Sequence, residues 1–463
     1  MSTASEGTAP ASIDVPRAVR WIVARLEEEG YETWAVGGAV RDALRGRPSQ
    51  DWDLATRAPP EEVRRIFPRT VPVGVEHGTV GVLTREGALY EVTTFRRDVE
   101  TFGRHAVVAF AETLEEDLQR RDFTINALAW HPLREELRDP HGGARDLQVR
   151  VLRTVGDPAD RFAEDYLRVL RALRFAGRFG LEITGETWRA LRDAASQLGI
   201  LSPERIREEL WKVLSGDPTP GRTLELYRRS GALAVSYPEL ARVAGAGAEG
   251  APEWTHTLSV VGEILPHRTS LRVAVLLGDL GTPAPTEEDP PLPRSHGPAR
   301  DVNRLRAMVR AAALLMRLRH SNLQVETISG LVGAGPELPS EEGHPAEVRR
   351  WLSRVGRERV PDLVRWAAAE ARMERGKGGE ARRSDVVASW HRIRAAARSG
   401  HPLTVGDLAV NGRDLIRLGL RPGPQFGDIL EVLLERVLHE PGKNRPEVLE
   451  EWALELASKM EGK

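Results

Sequence analysis

Cysteine is absent from all 463 residues. Disulfides are therefore excluded, and so is every zinc site built on thiolates. A metal would have to sit on carboxylates, histidines or phosphates, and oxygen donors favour Mg²⁺, with Mn²⁺ as the other choice. No run approaches the roughly 20 apolar residues that span a bilayer, so no membrane partner is expected. The opening MSTASEGTAPAS holds neither a basic nor an apolar stretch. Residues 1–14 read as a disordered tail, and the protein as cytoplasmic. A strong excess of one charge is also missing: the net charge is −2, so bulk electrostatics do not announce a nucleic-acid binder. Lysine is confined to Lys212, Lys377, Lys443, Lys459 and Lys463, which leaves arginine as nearly all of the positive charge. Arginine suits bidentate contacts to phosphates and bases. Its abundance decides little, and its positions decide more.

Hydrophobic residues make up 41% and charged residues 29%, an ordinary globular balance with material for several domains. The pattern VPRAVRWIVARLEEEG predicts a helix from Val15 that ends at Gly30. Strand-like runs follow (TWAVGG, DWDLAT, GTVGVLT and ALYEVTTF), separated by helices and turns. The predicted fold class is α+β, with a mixed-sheet head followed by helical regions. The domains are expected at 15–157, 158–240, 250–385 and 386–463, with a soft boundary at ARVAGAGAEGAPE (241–253). The proline-rich stretch 282–298 reads as a mobile loop. There is no internal repeat.

Asp51-Trp52-Asp53 is the strongest local feature. In a strand, residues i and i+2 share a face, so two carboxylates project together. That arrangement is costly unless a cation neutralises it. Paired metals on shared carboxylates support in-line phosphoryl transfer. Alone, such a pair is common on solvated strands. Upstream, Gly37-Gly38 follows the strand TWAV and opens the helical segment AVRDALRG. This is a geometry for offering backbone N–H groups to a phosphate, with Arg41 one turn into the helix. A glycine pair by itself is usually only a turn, but the two features at short range are far more specific than either.

With these neighbours the sequence resembles the class II tRNA nucleotidyltransferase and bacterial poly(A) polymerase family, within the polymerase-beta-type nucleotidyltransferases. The resemblance continues in HGTVGVL (77–83), EVTTFRRD (91–98), EEDLQRRDFTINAL (115–128), DPHGGARDL (139–147) and RTVGDPADRFAEDYLRVLRALRFAGRFG (153–180). The C-terminal run DLAVNGRDLIRLGLRPGPQFGDILEVLLERVL is similar to the family's tail. The resemblance implies metal binding by Asp51 and Asp53, and triphosphate contacts by Gly37, Gly38, Arg41 and Arg121. Glu91 would be either a third acidic group or a structural strand-end residue. Asp122 and Asn126, four apart, would either brace the site or bond a ribose.

A single helix is predicted from about Arg161 to Phe179. It carries Asp165, Arg168, Arg171, Arg174 and Arg178 along one face. Such a stripe is usually solvated, but here it follows directly on the transferase motifs. By the resemblance, Asp165 and Arg168 read the incoming base in place of a template. A carboxylate accepts from the exocyclic amine of cytosine or adenine, where uracil and guanine present a carbonyl. A site of paired polar groups can reject a mismatched analogue by roughly 10⁴-fold. CTP and ATP are the expected substrates, and tRNA the expected partner. Arg171 and Arg174 are expected nearer the phosphates or the RNA end.

The leading activity is CCA addition to tRNA. CC-only addition, A-only addition, poly(A) synthesis and a non-catalytic RNA-binding role are the alternatives; the first three would differ in the loop 99–116. In the middle region, EWTHTLSVVGEIL and LRVAVLLGDLGTP resemble an HD-type phosphohydrolase framework that keeps His256 and Asp279 but has Gly278 in place of a histidine. An incomplete imidazole set predicts a non-catalytic scaffold. The sequence sets no oligomeric state.

Overall fold

The apolar spacing of the first helix places Val19, Ile22, Val23 and Leu26 on one buried stripe, which gives α1 (Arg17–Glu28). Gly30 N donates to Glu27 O at 2.9 Å and Tyr31 N to Leu26 O at 2.9 Å, closing its C-terminus. The computed structural model describes residues 13–49, 51–74, 78–102, 105–245, 250–284, 292, 302–340 and 342–461. Most of the expected N-terminal tail, His77 and nearly all of the proline-rich loop lie outside them.

The head is built from β1 (Thr33–Val36), α2 (Gly38–Leu44), β2 (Asp53–Thr56), α3 (Pro60–Ile66), β3 (Thr70–Pro72), β4 (Thr79–Leu83) and β5 (Leu89–Thr94). A hairpin of β6 (Arg96–Phe102) and β7 (His105–Phe110) follows. After it come α4 (Leu114–Gln119), β8 (Ala129–His131), β9 (Glu136–Arg138) and α5 (Gly143–Gln148). Seven strands form one mixed sheet in the order β3-β4-β5-β2-β1-β8-β9. The pair β2/β5 is parallel and the other pairs are antiparallel.

Alternation along the central strands fills both faces. Trp34, Val36 and Ala55 enter one cluster with Phe95, Leu114 and Leu118. Ala35 and Leu54 enter the other with Val40, Val80, Val92 and Trp130. The stretch 99–116, read from sequence as a loop, instead holds part of the β6/β7 hairpin and the start of α4. A reciprocal cap fixes that start: Glu116 N donates to Thr113 Oγ1, and Thr113 N donates to Glu116 Oε2 at 3.2 Å.

The helix predicted from Arg161 to Phe179 is two helices, α6 (Pro158–Glu164) and α7 (Leu167–Phe179). Asp165 breaks the run. Its backbone is extended (φ −155°, ψ 105°), and its Oδ1 accepts from Leu167 N at 3.0 Å. A short carboxylate side chain competes for helix N–H groups in this way, and that preference outweighs the apolar period that runs through it. Then come α8 (Gly185–Ala195), α9 (Pro203–Gly216) and α10 (Gly221–Ser230).

The chain divides into two compact units, residues 1–213 with 219–241, and residues 214–218 with 242–463. The described part of the second unit contains helices and no strand. Buried Arg272 donates there to Ile264 O, Leu214 O, Asp217 O and Pro218 O, clasping the segment 214–218. Near its C-terminus, Leu415, Ile429, Leu433, Val437, Leu449 and Ala453 make a separate small core. No helix among the described residues is long and apolar enough to cross a membrane.

Candidate active site

Asp53 opens β2, while Asp51 and Trp52 lie just before the strand. The expected alternation still holds, because Trp52 is buried in the core and both carboxylates are exposed. The β2/β5 register pairs Leu54 with Val92, which sets Asp53 alongside Glu91 on the neighbouring strand. Asp53 reaches solvent but is hemmed in by protein. Partial dehydration, then the charges of Asp51 and Glu91, push its pKa up to about 6, against the pull of Arg121. The strand-end glutamate thus belongs to the same electrostatic cluster as the aspartate pair.

Gly37 adopts φ +74°, a left-handed conformation suited to glycine. A Cβ there would lie 2.8 Å from Arg121 Nη1. The second glycine, Gly38, begins α2, and a Cβ on it would lie 3.6 Å from Arg41 Nη2. The two arginines named from sequence therefore flank the glycine turn. Arg121 is held there by Asp117, whose Oδ2 accepts from Nη2 at 3.1 Å, and by Asn126 O. Burial alone would raise the Asp117 carboxyl, but Arg121 and Arg120 outweigh it and hold it below the usual carboxylate range. Sequence reasoning did not single out Asp117; its signal was the i, i+4 spacing to Arg121 in EEDLQRRD.

Asp122 and Asn126 form a buried chain of bonds. Asn126 Nδ2 donates to Asp122 Oδ1 at 2.9 Å, and Arg41 Nη1 donates to Asn126 Oδ1 at 2.7 Å. Asp122 Oδ2 takes Arg171 Nε at 2.8 Å and Nη2 at 2.7 Å. Burial would raise the Asp122 carboxyl, but Arg171 and the Asn126 amide hold it below its ordinary value, and Asp122 in turn raises the Arg171 guanidinium. These contacts are of the kind a brace makes.

The basic stripe on α7 divides. Arg171 faces Asp122, as above. Arg174 is buried and donates from Nε to Glu209 Oε2 at 2.7 Å, while Lys212 reaches Glu209 Oε1 at 2.9 Å. Both arginines, expected near phosphates or RNA, are thus engaged by carboxylates of the protein. Arg168 Nη1 pairs with Glu164 Oε2 and donates to Arg161 O at 2.9 Å. Asp165 Oδ2 accepts from Arg205 Nη2 at 2.6 Å. Asp165 and Arg168 are therefore set by different neighbours. Glu164 was legible at i, i+4 from Arg168, whereas Arg205 lies 40 residues from Asp165 and left no local signal.

In the second unit, His256 Nε2 lies 2.6 Å from Glu370 Oε2, and Trp366 Nε1 donates to Glu370 Oε1 at 3.1 Å. Thr257 Oγ1 donates to Asp279 Oδ2 at 2.5 Å. A Cβ on Gly278 would come within 2.9 Å of Trp366 Cζ2. The indole occupies the space that a histidine at that position would need.

Comparison with known proteins agrees with this geometry. Residues 33–153 match the poly A polymerase head domain family, and residues 180–243 the family described as "Probable RNA and SrmB- binding site of polymerase A". Residues 403–453 match domain 2 of tRNA nucleotidyltransferases. Fold and site define a nucleotidyltransferase with a poly(A)-polymerase-type head. The CCA-adding enzyme of Anoxybacillus flavithermus is 33% identical over 446 residues, covering 94% of this chain and 95% of its own. That of Geobacillus stearothermophilus is 34% identical over 438 residues, with 94% and 95% covered. The crystal structure of the Bacillus stearothermophilus CCA-adding enzyme in complex with CTP has a TM-score of 0.70 at 30% identity, covering 96% of this chain and 98% of that one. The chain belongs to the CCA-adding enzyme family of class II tRNA nucleotidyltransferases.

Proposed function

We propose that this protein adds C, C and A in turn to the 3′ end of tRNA, using CTP and ATP and releasing pyrophosphate. The observation that carries the reading is one folded unit that joins the exposed pair Asp51/Asp53 to a braced arginine system beside the glycine turn. Relatives named for this activity match along nearly the whole chain.

The donor set suits a divalent cation. Asp51, Asp53 and Glu91 crowd one end of the sheet, and Arg121 is the cation acting on Asp53. Among the described residues no group of three carboxylates or imidazoles closes a metal site by itself. Mg²⁺ characteristically binds through one or two carboxylates and takes the rest of its shell from substrate phosphates and water. Asp51 and Asp53 would hold Mg²⁺, or Mn²⁺, and the ion supplies charge stabilisation and a more acidic attacking hydroxyl. The protein's own groups do the positioning. The amides at Gly37–Gly38, with Arg41 and Arg121, bind and orient the triphosphate so that the α-phosphorus faces the RNA 3′-hydroxyl. The same guanidinium groups stabilise pyrophosphate as it leaves.

Asp165 and Arg168 select the base. Arg205 and the Leu167 amide fix the Asp165 carboxylate, which accepts from the exocyclic amine of cytosine or adenine. Glu164 anchors Arg168 through Nη1, leaving its other N–H groups for the base edge. Residues 250–385 serve as a non-catalytic scaffold, a reading supported by Trp366 against Gly278, and residues 386–463 contribute to tRNA binding. The protein works in the cytoplasm, which agrees with a chain free of cysteine.

The test is an extension assay with Mg²⁺ and tRNAs ending before CCA, after C and after CC, given CTP and ATP singly and together. Completion of all three ends is expected. Products that stop at CC, additions of A alone, or long A tails identify the narrower activities, and no extension of any substrate overturns the reading.

A further inference from the structure

Arg45 follows directly on the last residue of α2, and its surroundings are not explained by packing alone. Its guanidinium carbon lies 4.3 Å from the centroid of the Phe179 ring at the end of α7. Arg41 lies over the same ring at 4.4 Å, and Arg178 at 5.5 Å. Three cations therefore share one aromatic side chain, with Arg47 also near enough to act on Arg45. The carboxylate acting on Arg45 is Asp42, whose Oδ1 already accepts from Arg41 Nε at 2.9 Å. Arg45 Nη1 is shielded from solvent and has no hydrogen-bond partner. Burial, then Arg47, Arg41 and Arg178, hold the Arg45 guanidinium below its ordinary pKa.

A guanidinium stacked by its face on a ring keeps its N–H edge for an acceptor. A buried donor without an acceptor, inside a like-charged cluster, is what an anion would relieve. We infer that Arg45, with Arg178 beside it on Phe179, forms an anion subsite that holds a phosphodiester of the RNA acceptor end, next to Arg41 of the triphosphate position. The inference rests on the transferase reading above. Two observations favour RNA over the nucleotide. The backbone N–H groups offered to the triphosphate lie at the start of α2, whereas Arg45 follows its last residue. Arg47 and Arg178 are exposed, so the cluster opens toward solvent, as a long polyanion requires and a bound nucleotide does not.

The experiment compares wild type with Arg45→Leu, which keeps an apolar contact on Phe179, and Arg45→Lys, which keeps the charge. Binding of a tRNA transcript lacking CCA is followed by fluorescence anisotropy across a salt series, and KM for that tRNA and for CTP is measured separately. For Arg45→Leu, tRNA affinity is expected to fall roughly 3- to 10-fold. The slope of log K against log salt should drop by about 0.7 to 0.9, the contribution of one phosphate contact. KM for tRNA should rise while KM for CTP stays within about twofold, and Arg45→Lys should recover most of the salt slope. Should Arg45→Leu fail to fold, Arg45→Gln takes its place. An unchanged tRNA affinity and salt slope overturns the inference, and so does a rise in KM confined to CTP. The binding arm needs no catalysis. Wild type that binds tRNA without extending it condemns the transferase reading, whereas wild type that extends normally beside an unaltered Arg45→Leu condemns only the subsite.

Discussion

Arg171 places both Nε and Nη2 on one oxygen of Asp122, at 2.8 and 2.7 Å, and so joins α7 to the RRDFTIN segment of the head. The contact continues through Asn126 to Arg41 at the glycine turn. Four side chains, Arg171, Asp122, Asn126 and Arg41, thus connect α7 to the glycine turn.

Breaking that contact should cost stability as well as activity. Asp122→Ala leaves the Arg171 guanidinium without its carboxylate, and removal of one partner from a buried pair typically costs about 3–5 kcal/mol. A loss near the lower end is expected, because Arg171 is one-third exposed. Denaturant unfolding of Asp122→Ala, Arg171→Leu and the double variant measures it. A double variant no less stable than either single one would confirm that most of the loss comes from the orphaned charge.

Asp51→Ala and Asp53→Ala should each abolish nucleotide addition, by about 10³-fold or more, without unfolding the head. Both side chains are exposed, so no core contact is removed. Primer extension on tRNA, paired with circular dichroism, checks this; near-normal activity in either variant would remove the carboxylates from the chemistry.

The raised pKa of Asp53 has a definite sign. Its folded value, about 6, lies above the ordinary 3.8. The folded state therefore binds more protons between those values, and stability falls as pH rises through that window. Above about pH 6 the ionised Asp53 is a standing cost in metal-free protein. Asp53→Asn should raise the melting temperature of metal-free protein at pH 7–8, with the gain shrinking toward pH 4. Added Mg²⁺ should stabilise wild type increasingly through pH 6 and leave Asp53→Asn nearly unmoved. An equal response of the two proteins to Mg²⁺ would argue against Asp53 as a ligand.

Base selection should depend on a residue outside the motif. Asp165→Ala is expected to relax discrimination against UTP and GTP from roughly 10⁴-fold toward tenfold. Arg205→Ala should act in the same direction but less, since the Leu167 amide still orients one carboxylate oxygen. Ratios of kcat/KM for the four triphosphates report both effects. Unchanged ratios in Asp165→Ala would place base reading elsewhere.

Restoring a histidine in the second unit should not create a hydrolase. Even Gly278→Ala sets its Cβ against Trp366 and should cost about 1–3 kcal/mol, with Gly278→His costing more. Melting curves and a phosphodiesterase assay on both variants test this.

The residues brought together in the head were largely legible because their signals are local. Strand alternation sends Trp52 inward and leaves Asp51 and Asp53 outward, whatever surrounds them. The glycine pair after an apolar strand marks a turn that only a few residue types can make, and Gly37 makes it at φ +74°. Spacings of four residues also join Asp117 to Arg121 and Glu164 to Arg168, local signals that the motifs around them overshadowed. A helical period is less decisive where a residue can cap: Asp165 stopped a run whose apolar pattern continues through it.

Tertiary structure decided what each polar face meets. Spacing alone places Arg168, Arg171 and Arg174 along one stripe, yet their carboxylates are Glu164 in the same turn region, Asp122 in the head and Glu209 on α9. Partners 49 and 35 residues away leave no trace in local periodicity. The sequence by itself determined that Asp51 and Asp53 face away from the core and that Gly37 makes the turn before α2, because strand and turn geometry are set by neighbours in the chain. Which arginines are held by carboxylates of the protein was decided only when packing brought Asp122 and Glu209 within hydrogen-bond reach of Arg171 and Arg174.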